Sequence, residues 1–365
     1  MRRVLTAALF VCLGTAPIVA RPKRARNVIL FLADAGGVAT LNAASLHGYN
    51  GPQKLFVQTW PHVGLSDTSP EGRWVTDSAA GMTAIVTGHK TKNGVISQAP
   101  NAIRGKADGT PLKTILEEAE ERGLSTGVLS NVTITDATPA ACYAHAHDRR
   151  LWGEIFLQLF QPRYGDGVDV LFGPGRKAIN DRLQKLGYEI EQAGDKNGRP
   201  VYRSLGEVPD GATRALVVAD GQFELNEAAK RAIRMLSSNR KGYFLMIESD
   251  AHTNNIRAGL DRLVAFDKLI REIAAMVGDD TLLLFTADHS FDFRVFSGGP
   301  DKPLLDGLEA VQQSNSMRTS ALRMDNAHTA EEVVVAARGP GAERIRGFLP
   351  NTALYRVMRE AFRWR

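Results

Sequence analysis

The chain has 365 residues, 44% of them apolar and 23% charged, with a formal net charge of +5. That composition supplies a sizeable core and excludes a disordered chain. The mild charge, and the lack of any dense basic run with interleaved aromatics after Arg26, argue against a nucleic-acid partner.

In chain order, residues 1–20 read as an export signal. Arg2 and Arg3 form a basic head, Val4 to Val19 is mostly apolar, and Ala20 is a cleavage residue, so the mature catalytic domain is expected to span residues 21–365 in the periplasm or outside the cell. Retention as an anchor is the alternative, because Arg21, Lys23, Arg24 and Arg26 follow at once and suit a membrane surface. No later apolar stretch is long enough for a stable span once the signal is removed. Cys12 lies in the signal, which leaves Cys142 alone and no internal disulfide.

Asn27 to Leu32 is the first expected strand. Ser78 opens a run of small, helix-compatible residues ending at Gly88, and either Asp77 or Ser78 suits the cap. Pro111 to Arg122 is an expected helix stopped by Gly123, and its EEAEER run reads as a solvated face. Strands are expected at Thr126 to Ser130, Val168 to Phe172, Leu216 to Ala219, Tyr243 to Ile247, Thr281 to Thr286 and Val333 to Ala337. Helices are expected at Glu224 to Ser237 and Asn351 to Phe362, the latter capped by Asn351. FGPGRK at 172–177 lacks the third glycine of a dinucleotide loop and reads as a strand-to-helix turn. The tryptophans and the cluster of Phe291, Phe293 and Phe296 read as core, with a substrate mouth as the alternative. Alternation of apolar runs with helical stretches predicts an α/β fold with a large, mostly parallel central sheet flanked by helices on both faces.

Polar residues gather at the carboxyl ends of the apolar runs. Asp34 follows NVILFLA, Glu248 and Asp250 follow YFLMI, and Asp288 with His289 follows TLLLFTA. In an open α/β sheet that edge is where ligands bind. With His252 and His328 these residues make an acid and imidazole set, free of thiolate, suited to divalent cations. Two zinc ions about 4 Å apart could clamp the attacking and leaving oxygens of an in-line displacement. Singly, His328 reads as a loop histidine and His252 as a turn cap; jointly they read as ligands. Ser78, at a helix N-terminus where a phosphate is welcome, would then be a nucleophile rather than an ordinary cap.

LFLADAGG, TDSAAGMTAIVTGHKTKNG, TDATPAACYAHAHDRR, LLFTADHS and AHTAEEVVVAARGPGAERIRGFLPNT resemble successive motifs of the alkaline phosphatase family, in the family's order, from Asn27 to the carboxyl end. The resemblance is weak at residues 151–240 and 290–326. It implies hydrolysis of small phosphomonoesters, with broad specificity, through a phosphorylated Ser78. Asp34, Asp288 and His289 would bind the zinc that activates Ser78, with His252, His328 and Asp250 at the second zinc. Asp34, Thr138 and Glu248 would share a magnesium site, and Arg149 would bind phosphate. Arg150 reads as a solvated neighbour.

Three departures qualify the resemblance. Ala35 stands where the family has glycine, ESDAHTNN is shorter than its family counterpart and leaves Asp250 between a zinc and a magnesium role, and the short chain has little room for dimer-face insertions, so a homodimer is only suggested. A phosphodiesterase or sulfatase with the same metal core is the nearest rival, although diesterases more often carry Thr at the nucleophile and the sulfatase Pro and Arg pattern is missing. A binding protein without turnover is the rival from another class.

Overall fold

The computed structural model describes residues 24–221, 223–308 and 316–364. The expected signal, with Cys12 inside it, lies outside the described residues. The strands are β1 (Asn27–Asp34), β2 (His62–Asp67), β3 (Ser125–Ser130), β4 (Val170–Pro174), β5 (Val201–Tyr202), β6 (Ala215–Ala219), β7 (Tyr243–Asp250), β8 (Thr281–Thr286), β9 (Ser290–Val295), β10 (Ser316–Arg318), β11 (Leu322–Thr329), β12 (Val333–Arg338) and β13 (Gly347–Pro350). The helices are α1 (Val38–Tyr49), α2 (Ser78–Thr87), α3 (Ile115–Glu121), α4 (Ala137–Tyr143), α5 (Trp152–Leu157), α6 (Arg176–Leu183), α7 (Ile190–Lys196), α8 (Leu225–Leu236), α9 (Ile256–Met276) and α10 (Ala353–Ala361).

Ten strands form one sheet in the order β13-β2-β12-β8-β1-β7-β3-β4-β6-β5. Its pairings are parallel except those of β12 with β2 and β8. β1 is buried along its whole length, which is why NVILFLAD reads as an unbroken apolar run. Its alternate side chains enter different cores. Val28, Leu30 and Leu32 join α2, α3, α4 and α10, while Ile29, Phe31 and Ala33 join α1, α8 and α9. Each fully buried Leu or Phe contributes about 1.5–3 kcal/mol, so the two faces together fix the register of β1.

A second sheet, β10-β11-β9, is antiparallel. Its β11 pairs with β9 through His328↔Phe291 and Thr329↔Ser290 after a register shift beyond Met324. That pairing carries His328 back beside the carboxyl end of β8.

The expected strands in the large sheet and the helices at α3, α8 and α10 are present, β8 with the expected ends and the others with shifted ends. Two expectations are corrected. Asn351 does not cap α10: its backbone N–H is taken by Asp67 O at 3.1 Å, Thr352 occupies the cap position, and the Asn351 side chain makes no hydrogen bond. EEAEER is not a solvated face, because Glu117, Glu118 and Glu120 are buried. Each has polar partners inside the fold: Glu117 binds the Thr114 N–H and the His145 imidazole, Glu118 binds Arg122 and Arg359, and Glu120 binds the Thr126 hydroxyl and the Gly167 N–H. Of the aromatic cluster, Phe291 and Phe293 are core and Phe296 is exposed.

Candidate active site

Ser78 is the first residue of α2, and Asp77 is its cap: the Asp77 carboxylate accepts the Ala80 N–H at 3.1 Å and the Gly94 N–H at the same distance. The capping role therefore falls to Asp77, and the Ser78 hydroxyl is left for other work. Ser78 is buried, and its Oγ lies 3.2 Å from His289 Nε2. Small residues bring the helix this close. A Cβ on Gly81 would sit 2.6 Å from the Asp288 carbonyl oxygen, so only glycine lets α2 rest on the end of β8.

The strand ends deliver the acids as the sheet register dictates. Leu32 pairs with both Glu248 and Thr286, and Asp34 pairs with Asp250, so Asp34, Glu248, Asp250, Asp288 and His289 share one edge. After β1 the chain turns at Ala35 with φ of 63°, a left-handed conformation taken without glycine, and its N–H meets Asp288 Oδ1 at 3.3 Å. Asp34 Oδ1 is 3.3 Å and Asp288 Oδ2 is 3.6 Å from His289 Nε2.

Two groups of donors converge. Asp34, Asp288 and His289 form one, and His252, His289 and His328 form the other, each with ligand atoms within 4.8 Å of one another. His289 and His328 stack with ring centroids 3.7 Å apart, and His328 Nδ1 bonds the Thr76 carbonyl at 2.9 Å, leaving Nε2 for the cluster. Asp34 Oδ1, Asp288 Oδ2, Glu248 Oε1 and Thr138 Oγ1 are buried and make no hydrogen bond. Buried polar atoms are normally satisfied, and oxygens left over on three carboxylates and a hydroxyl are what a cation would complete. The residues therefore fit divalent ions: an acid and imidazole pocket beside Ser78, an imidazole pocket next to it, and an oxygen set around Glu248 and Thr138.

Burial dominates the electrostatics of three of these groups. Burial, reinforced by Asp288, holds the Asp34 carboxyl well above its ordinary value, and burial with Asp34 does the same to Glu248. Burial lowers His289 to about 4, which keeps it neutral and able to ligate. His252 is also buried, but Asp34 and Asp250 outweigh that effect and lift it to about 9.

Asp250, expected at the second zinc or in the magnesium shell, lies outside both groups. Its Oδ1 accepts the His252 N–H at 2.9 Å and contacts Nδ1 at 2.8 Å, while Arg262 of α9 binds its Oδ2 at 2.9 Å and its carbonyl at 2.7 Å. With one residue between them at a strand end, the carboxylate folds onto its own histidine. α9 also rests on this loop: a Cβ on Gly259 would sit 2.2 Å from the His252 carbonyl oxygen.

Arg149 is half-buried and Arg150 exposed. Burial opposes the Arg149 charge, but Asp136 and Asp77 outweigh it and hold its pKa above the ordinary value. The contacts are 3.0 Å to Asp136 and 3.4 Å to Asp77. Asp136, Ser130 and Arg262 are site residues the sequence did not single out, and Asp77, expected only as a possible cap, also faces Arg149. Asp136 was available from TDATP, whereas Ser130, which binds Glu248 at 2.5 Å, and Arg262 carry no local signal.

A serine at a helix start, an arginine beside it and acid and imidazole pockets on the carboxyl edge of a parallel sheet define an ester hydrolase of the α/β class. A family model described as alkaline phosphatase matches residues 25–204 and 205–319, and the chain belongs to the alkaline phosphatase family of phosphoric monoester hydrolases. It is 29% identical to streptomycin-6-phosphate phosphatase of Streptomyces griseus, covering 96% of this chain and 95% of that protein. It is 28% identical to alkaline phosphatase 4 of Bacillus subtilis, over 90% and 86% of the two chains. In fold it is similar to the alkaline phosphatase of the Antarctic bacterium TAB5, with a TM-score of 0.76 and 24% identity over 94% and 100% of the chains. The Thermus thermophilus alkaline phosphatase gives a TM-score of 0.77 at 22% identity, over 98% and 97%.

Proposed function

We propose that the protein is an exported phosphomonoesterase of broad specificity, formed by residues 21–365, that works through a phosphoserine at Ser78 with two Zn²⁺ and one Mg²⁺ as resident cations. The observation that carries the reading is a Ser78 Oγ freed from helix capping and 3.2 Å from His289 Nε2, beside buried carboxylate oxygens that make no hydrogen bond. Asp34, Asp288 and His289 would hold the zinc nearest Ser78, His252 and His328 the other, and Asp34, Thr138 and Glu248 the magnesium. Bound there, such ions lower the pKa of a coordinated hydroxyl or water and offset charge on phosphoryl and leaving oxygens.

The chain's own residues do the rest. The first amides of α2 and the Arg149 guanidinium receive the phosphoryl oxygens, and Asp77 and Asp136 aim that guanidinium. Ser78 Oγ attacks phosphorus, the new O–P bond forming as the ester P–O bond breaks, and the leaving alcohol departs with the bonding pair and takes up a proton. Water then attacks the phosphoserine, releasing inorganic phosphate and restoring the hydroxyl. Little of this geometry touches the alcohol, which supports broad specificity.

Turnover of p-nitrophenyl phosphate beside bis-p-nitrophenyl phosphate tests the reading, together with acid trapping of labelled phosphate. Ser78→Ala should stay folded and metal-loaded while losing at least about a thousandfold in turnover. Label on another residue, or faster diester cleavage, overturns it.

A further inference from the structure

At the end of the sheet opposite the acids, chain topology gathers cations. Arg24 and Arg26 precede β1, Arg122 precedes β3, and Arg240 and Lys241 precede β7, and these three strands are neighbours in the order β1-β7-β3. Arg363 joins them from the carboxyl end, because the Ala25 N–H bonds the Ala361 carbonyl at 2.9 Å. Together they line a groove of about 650 Å³ with no acidic residue in its lining.

The groove is built rather than frayed. Trp364 is buried at its base, stacked on Phe362 at 4.4 Å, and the Arg122 guanidinium lies over its ring at 4.7 Å. The Lys241 ammonium bonds the Arg122 carbonyl, and Arg26 bonds that of Asn239. The nearby Glu118 is committed to Arg122 and Arg359. Six cationic side chains line one groove and repel one another, with Arg122 held by Glu118 from outside the lining.

What lies next to the groove selects the occupant. Residues 1–23 lead directly into Arg24, which lines this groove, and their sequence holds the apolar run from Val4 to Val19 followed by Arg21 and Lys23. A chain that leaves a bilayer here would set the groove against its headgroups. We propose that the groove docks on anionic phospholipid headgroups, as a peripheral membrane contact that persists whether or not the leading segment is removed. β1 runs from Asn27 beside the groove to Asp34 in the site, roughly 25 Å at the usual strand rise, so docking turns the catalytic edge toward the aqueous phase.

Co-sedimentation of the full chain with phosphatidylglycerol–phosphatidylcholine vesicles and with pure phosphatidylcholine vesicles tests this. Binding should favour the anionic vesicles at least about tenfold and fall away at about 0.5 M salt. A basic residue near such a surface is worth about a fivefold change in partitioning, so Arg24→Gln with Arg240→Gln should weaken binding about 25-fold, with unchanged melting temperature and phosphatase turnover. Equal binding to both vesicles would assign attachment to the apolar run alone and overturn the proposal. So would a variant that binds as the parent does. Release from anionic vesicles by inorganic phosphate at millimolar concentration would assign the groove to a soluble anion instead.

Discussion

Asp250 and His252 stand two residues apart at the end of β7, and that spacing decides what the Asp250 carboxylate reaches. A ligating histidine commonly gives its second ring nitrogen to a carboxylate, which fixes its orientation. The 2.8 Å contact from Asp250 Oδ1 to His252 Nδ1, with Arg262 on the other oxygen, has that form. His252→Ala should therefore lower zinc from about two toward one per chain, because a site of few protein ligands does not survive the loss of one. Asp250→Asn should keep the stoichiometry and weaken the second zinc about 10–100-fold in chelator competition. Loss of a full zinc equivalent in Asp250→Asn would return Asp250 to the ligand shell. The sequence supplied the acids and His289 because they end apolar runs, but it left Asp250 between two roles. Arg262, which separates them, lies a full turn and more into α9 and shows no pattern of its own.

Among the elements, legibility followed burial. The central strands are buried on both faces, so each is a continuous apolar run, and β8 falls on Thr281–Thr286 as expected. β2 alternates between buried and partly exposed positions and β13 has four residues, so neither declares itself. α9 is absent from the expected elements although Ile256, Leu260, Leu263, Ile270 and Ile273 form a helical stripe, all of them buried. α3 misleads because its acids look like a solvent face, and only tertiary partners explain their burial. Glu120 gives that helix a pH dependence. Burial raises it from 4.5 to about 8, against the opposing bonds from Thr126 and Gly167. The folded state holds the proton more tightly than the unfolded one. Its contribution is thus fully present below about pH 4.5 and lost as pH rises through about 8. Glu120→Gln keeps an acceptor for Gly167 and a donor for Thr126 without the charge. Denaturant titrations from about pH 5 to 9 should show the variant gaining on the parent by about 3–5 kcal/mol, and parallel curves would refute the assignment.

At the scale of the whole molecule, the ten-stranded sheet brings the unsatisfied oxygens of Asp34, Asp288, Glu248 and Thr138 together at one edge. The cores on both faces are apolar and need no cation, so removing metal should leave the protein folded but weakened around that edge. An unsatisfied buried polar group costs about 1–3 kcal/mol, which for a large domain is a melting shift of roughly 2–6 °C. Chelation should lower the melting temperature by at least that much, and Mg²⁺ and Zn²⁺ should each restore part of it. Glu248 offers a sign test. Its Oε2 accepts from Ser130 and its Oε1 has no hydrogen-bond partner, so Glu248→Gln can keep the Ser130 bond while removing a buried charge. After chelation the variant should melt above the parent, because it no longer buries an uncompensated carboxylate. With Mg²⁺ in excess the order should reverse, because an amide is a poorer ligand for a hard cation and the parent alone gains the binding free energy. Differential scanning calorimetry of both proteins, chelated and Mg²⁺-loaded, reads the crossing directly. If the parent melted higher in both states, Glu248 would be held by protein contacts alone and the oxygen site would not be a cation site.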